Sequence, residues 1–111
     1  MVELANDRNE EPNEAASELS ARLGGTEDLL QRAIDKWGNV AQMLMTIEEA
    51  AELTQALMHF LRDRTTPTEV AGEVADVIIM AHQMRIVFGR DLVDKKVEEK
   101  LKRLRTRLDA A

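Results

Sequence analysis

Five acids hold most of this chain's capacity for chemistry. Glu48, Glu49 and Glu52 lie in one stretch, Glu73 and Asp76 in another. Taken as a helix at about 100° per residue, the first stretch puts Glu52 about 40° and Glu49 about 100° from Glu48. Leu44, Ile47, Ala50, Ala51, Leu53, Leu57, Met58 and Leu61 fill most of the arc from about 140° to 320°. The pattern predicts a buried apolar stripe with the acids at its edge, and Gln55 and His59 on the acid face. In the second stretch Glu69, Glu73 and Asp76 form one row, with Val70, Val74, Val77 and Ala81 beside it. If these helices pack antiparallel, both acid rows face a shared cleft. Carboxylates crowded there repel unless they are protonated, spread apart or neutralised by cations. Ligands made only of oxygen favour a hard ion, magnesium or manganese, and magnesium sites are commonly completed by phosphates. The chemistry implied is phosphoryl chemistry. The plainer alternative is a solvated charged face, since Glu at i and i+4 is common on helices.

The elements that must position these acids are helical. Residues 1–12 are polar, carry Pro12 and read as disordered. Residues 13–23 could form a short helix, capped by Asn13 and ended by Gly24-Gly25. Thr26 followed by Glu27 and Asp28 predicts a helix to about Lys36. Trp37-Gly38-Asn39 interrupts it, and Asn39 is placed to cap a second helix over 40–64. Thr65-Thr66-Pro67-Thr68 is a turn, with Thr68 placed to cap a third helix over 69–88, closed by Gly89. A last helix covers 91–108. Strand patterns and repeats are absent. The expectation is an all-α fold, a four-helix-type bundle, with an acidic tail over 1–25 and a helical domain over 26–111.

Composition narrows the function classes. At 111 residues there is room for one domain, small enough that a second subunit would help bury apolar surface. Aromatic residues are 3% of the chain, so the core must come from aliphatic side chains and six Met. With no Cys, a disulfide framework, a thiolate metal site and a Cys nucleophile are excluded. Residues 1–18 hold six acids against the single Arg8, so −5 of the net −6 sits there. There is no basic footprint for duplex nucleic acid. No apolar run suits a bilayer span, and the acidic start lacks signal-peptide features. A cytoplasmic location is the expectation.

Glu48-Glu49-Ala50-Ala51-Glu52 has the form EExxE, and Glu73-Val74-Ala75-Asp76 the form ExxD, with twenty residues between them. This ordered pair resembles the signature of the MazG-like all-α nucleotide pyrophosphohydrolases, a superfamily that includes dimeric dUTPases and phosphoribosyl-ATP pyrophosphohydrolases. The resemblance covers about residues 26–108. It implies that Glu49, Glu52, Glu73 and Asp76 hold magnesium, for which manganese can substitute. Glu48 would then help hold a metal or orient the attacking water. The implied reaction is attack of water at the α-phosphorus of a nucleoside triphosphate, releasing the monophosphate and pyrophosphate, with a house-cleaning role. It also implies a homodimer or homotetramer whose nucleotide pocket is completed by a neighbouring subunit.

Lys96, Lys100, Arg103 and Arg107 form one basic stripe on the last helix. The resemblance makes Lys100, Arg103 and Arg107 candidates for phosphate contacts; the alternative is surface charges paired with Glu98 and Glu99. Where family members often carry Asn four residues after the Lys, this chain has Leu104. Trp37, ahead of EExxE, is a candidate to stack on a base, against the commoner role of a core residue or subunit contact. His59 and His82 read as structural or exposed. A di-iron bundle is disfavoured because Ala56 and Ile79, not Glu, precede the two His by three residues. The rival to the enzyme is a non-catalytic helical dimer acting as an interaction or regulatory module.

Overall fold

The computed structural model describes residues 25–110; the acidic tail and the short helix expected at 13–23 lie outside them. The described residues form four helices and no strand: α1 (Glu27–Trp37), α2 (Asn39–Leu61), α3 (Pro67–Phe88) and α4 (Arg90–Asp109). This is the expected all-α class. None of these helices is long and apolar enough to cross a membrane.

Local chemistry sets the boundaries. Glu27 and Asp28 lie in the first turn of α1 and Lys36 in its last, each sign matched to the helix dipole. Gly38 ends α1 at φ 90°, donating its N–H to the carbonyl of Ile34 at 2.7 Å. A side chain would be strained at that φ. Gly38, not Asn39, holds the cap position of α2, and Asn39 is already helical. The expected extension of α2 to Arg64 fails. Arg62 caps the helix, and Asp63 turns left-handed at φ 56°, a conformation Asp tolerates better than most residues. Arg64 N–H then donates back to the carbonyl of His59 at 2.8 Å.

The expected start of α3 is also corrected. Thr66, not Thr68, is the cap: its hydroxyl accepts the N–H of Glu69 at 3.2 Å. Pro67 is the first helical residue, where its missing N–H costs nothing. Gly89 closes α3 at φ 112°.

The short turn makes α2 and α3 an antiparallel hairpin, and these two helices pack together most closely. Helix α1 lies against the hairpin and buries Leu30 and Ile34, four residues apart; Phe60 of α2 and Met80 of α3 are the other buried apolar side chains among the described residues. Two glutamines, Gln42 and Gln83, are also buried. Helix α4 packs on α3 and is tied there by Arg85. The guanidinium donates two parallel hydrogen bonds to Asp94, both 2.7 Å, and a third to Glu27, also 2.7 Å. Arg90 donates to the other Glu27 oxygen at 2.9 Å. One cluster therefore joins α1, α3 and α4.

The apolar arc of α2 is not the buried stripe its periodicity predicts. Val40, Leu44, Ile47, Met58 and Leu61 are exposed, at 68, 57, 64, 46 and 65%. It is the acid side of α2 that is turned toward α3. The outward row Val40, Leu44, Ile47, Ala51, Thr54, Met58 and Leu61, apolar but for Thr54, alternates steps of four and three, the spacing of a helix that packs on another helix. On α4, Val97, Leu101, Leu104 and Leu108 repeat that spacing and are exposed. Within one chain the bundle is left open.

Candidate metal centre

The α2–α3 hairpin brings two acid rows face to face. Glu49 and Glu52 on α2 and Glu73 on α3 each offer an oxygen, and the three oxygens lie within 4.8 Å of one another. Glu49 and Glu73 are half-buried and Glu52 is exposed. The inner oxygens Glu49 Oε2 and Glu73 Oε2 are shut off from water and have no hydrogen-bond partner. A buried carboxylate oxygen without a partner is unusual and costly.

The electrostatics record the strain. Glu49 is pushed above the ordinary carboxylate range, first by desolvation and then by the charges of Glu52, Asp76 and Glu73. Glu73 is raised by desolvation, then by Glu52 and Asp76. For both, a hydrogen bond with Glu52 adds to the rise. Burial and like charge both disfavour ionisation here, and among the described residues no Lys or Arg pairs with Glu49, Glu52 or Glu73. An oxygen-only group with unpartnered inner atoms and no local cation fits a hard divalent ion.

Asp76 is exposed and outside the tight group, but near enough for its charge to act on both Glu49 and Glu73. Glu48 is exposed and not part of the group. Lys100, Arg103 and Arg107 are exposed on α4, without a hydrogen bond or ion pair among the described residues. Of the expected pairing with Glu98 and Glu99, only Lys96 with Glu99 forms, at 3.4 Å. Trp37 is 59% exposed at the end of α1, so it is not a core residue.

Beside the triad a polar cavity of about 340 Å³ is walled by Glu52, Glu73, Gln55, His59, Thr65 and Glu69. His59, expected to be structural or exposed, is half-buried in that wall. Its place on the acid face, seven residues after Glu52, was the available signal. His82 lies off the acid row, in a separate groove with Arg85 and Asp94. Two features had no local sequence signal: the Arg85 cluster, whose partners lie up to 63 residues apart, and the burial of Gln83.

No protein-family model, curated protein or solved structure matches the chain.

Proposed function

We propose that this chain is a magnesium-dependent nucleotide pyrophosphohydrolase, cleaving a nucleoside triphosphate to the monophosphate and pyrophosphate. Support comes first from the two unpartnered, water-excluded oxygens of Glu49 and Glu73, held inside a group of three carboxylates. The motif resemblance to MazG-like enzymes supplies the reaction. Glu49, Glu52 and Glu73 would hold the ion, with Asp76 completing the ligand set on α3. When bound, magnesium neutralises phosphate charge and makes bound water more acidic. Glu48, exposed and next to Glu49 in the sequence, would help hold a metal or orient the attacking water. His59 and Gln55 can donate hydrogen bonds to phosphate oxygens from the polar cavity. No Ser or Cys nucleophile is required.

The working form in this reading is a homo-oligomer. The exposed apolar seams of α2 and α4 are the kind of surface that marks a contact with another chain. A second copy packed on them closes the bundle, and its Lys100, Arg103 and Arg107 can complete the phosphate site. Pyrophosphate release across a nucleotide panel with magnesium tests the activity. Loss of release in Glu49→Ala and Asp76→Ala is the expected result, and undiminished turnover in both refutes the site. Sedimentation is expected to find a dimer or tetramer; an active monomer refutes the assembly.

The same exposed seams favour a second reading, a non-catalytic helical dimer. Magnesium or manganese raises the melting midpoint of the enzyme and leaves such a dimer unmoved.

A further inference from the structure

Helix α1 has two apolar rows and buries one of them. Leu30 and Ile34 are buried, whereas Leu29 and Trp37, in the next row with Ala33, are 58 and 59% exposed. That second row opens onto a groove of about 710 Å³ between α1 and α3, lined from α3 by Ile79. Arg32 and Lys36 also line it, and both are exposed. Asp35, in the same lining, accepts a hydrogen bond from Gln31 at 2.9 Å.

The sequence holds a match for this row. Over the helix expected at 13–23, Ala15, Leu19 and Leu23 recur every four residues, with Glu14, Glu18 and Arg22 one residue before them. On α1, Leu29, Ala33 and Trp37 recur in the same way, with Asp28, Arg32 and Lys36 one residue before them. Laid antiparallel, Ala15 meets Trp37, Leu19 meets Ala33 and Leu23 meets Leu29. In that same register Glu14 faces Lys36, Glu18 faces Arg32 and Arg22 faces Asp28, opposite charges at each place. A slip of one turn either way sets Glu18 against Asp28 or Arg22 against Arg32, and like charges facing each other oppose both slips.

A fold-back of this segment onto its own α1 takes a loop of about two to five residues. Gly25, expected to help end a helix, is itself helical, and only Thr26 separates it from Glu27. Thr26 sits at φ −97°, ψ 6°, bordering the helical region, so the chain enters α1 without the break that a reversal needs. We propose that residues 13–23 pack antiparallel along α1 of a second copy of this chain, which returns the same contact. Thr26 is the midpoint of all three apolar pairs, so it lies on the two-fold axis and meets the partner's Thr26. This interface is separate from the seams of α2 and α4, and it requires neither an ion nor the hydrolase reaction. Trp37 serves in it as a subunit contact.

The chain has no Cys, so introduced thiols read the register on a clean background. Thr26→Cys in the full chain, with oxidised glutathione and chelator present, is expected to give a disulfide-linked dimer on a non-reducing gel. Arg32→Cys is expected to give none. Its two copies would lie about 18 Å apart along the axis, against the roughly 4–7 Å between Cα atoms that a disulfide spans. Leu19→Cys combined with Ala33→Cys should link two chains. Glu18→Arg or Arg32→Glu should each slow the Thr26→Cys linkage by about fivefold or more, since each acts at both symmetric contacts. The two reversals together should restore it. Equal linkage of Thr26→Cys and Arg32→Cys would mean random collision and overturns the interface. A 19–33 link within one chain means that the segment covers its own α1, and it overturns the interface as well. So does the absence of any link between chains at both Thr26 and the 19–33 pair.

Discussion

Helix α3 carries charged side chains into two environments built on opposite principles. Near its middle, Glu73 and Asp76 meet Glu49 and Glu52 of α2, acid against acid, with no basic side chain among the described residues paired to Glu49, Glu52 or Glu73. Near its C-terminal end, Arg85 meets Asp94 and Glu27, with Arg90 closing the set. In the second cluster each charge has a partner. Hydrogen bonds from Arg85 hold Asp94 and Glu27 below the ordinary carboxylate range, and the same bonds raise Arg85. In the first, burial and like charge push Glu49 and Glu73 upward. A satisfied cluster serves the fold by fastening three helices. An unsatisfied one stores a requirement for positive charge, and that is what a cation site demands before its ion arrives.

The largest effect that would break this contrast is on turnover. Glu49→Ala and Asp76→Ala are each expected to lower pyrophosphate release by about 10²–10³-fold, the scale of losing one electrostatic contact to a transition state. Arg85→Ala should leave the chemistry of folded protein within a few-fold. Next comes the response to ion. At a magnesium concentration 100 times Kd, native-state binding adds about 2.7 kcal/mol of stability, read as a raised melting midpoint. Glu73→Gln should lose most of that rise, and Arg85→Ala should keep it. A full rise in Glu73→Gln would remove that carboxylate from the ligand set.

Smaller still is the direct loss in Arg85→Ala. Removing a two-pronged pair to Asp94 and the bond to Glu27 at a partly exposed site should lower the denaturation midpoint modestly, and less at high salt. Denaturant melts at low and high ionic strength check this. A loss that ignores salt would mean the arginine acts through packing of its stem, not through charge.

The helices and acid rows were legible because they follow local rules. Spacing of 3.6 residues, Pro67 and the glycines at 38 and 89 mark the elements, and the EExxE and ExxD spacing puts acids on single faces. Which face turned inward was not legible. An apolar arc on α2 reads the same whether it meets a helix of its own chain or of another, and here Leu44 and Ile47 are left outside. The Thr66 cap was misplaced because Pro67 reads equally as a helix stop and as a first residue. Glu27 and Arg85 pair across 58 positions, a separation that no local pattern encodes. The buried glutamine at 83 looked like any polar residue on a helix.

The two clusters also predict opposite pH dependences, which sharpens the comparison without any substrate. For Glu49 and Glu73 the folded-state value is raised, so their contribution to stability is full below the ordinary value of 4.5 and is lost as pH climbs through the raised values. For Glu27 and Asp94 the folded-state value is lowered from 4.5 and 3.8. Their contribution is present above those values and is lost as pH falls through the lowered ones. Metal-free protein acidified from neutral pH toward 4.5 should therefore melt at a higher temperature as the acid cluster takes up protons. Further acidification should reverse the trend as the Arg85 pairs break. Subtracting the curve of a Glu49→Gln, Glu73→Gln double variant isolates the share of these two carboxylates. The difference should hold only the rise, and saturating magnesium should abolish it. A flat difference curve would mean that the two carboxylates already share solvent freely. The basis for an ion between the helices would then be gone, with the Arg85 cluster and the fold untouched.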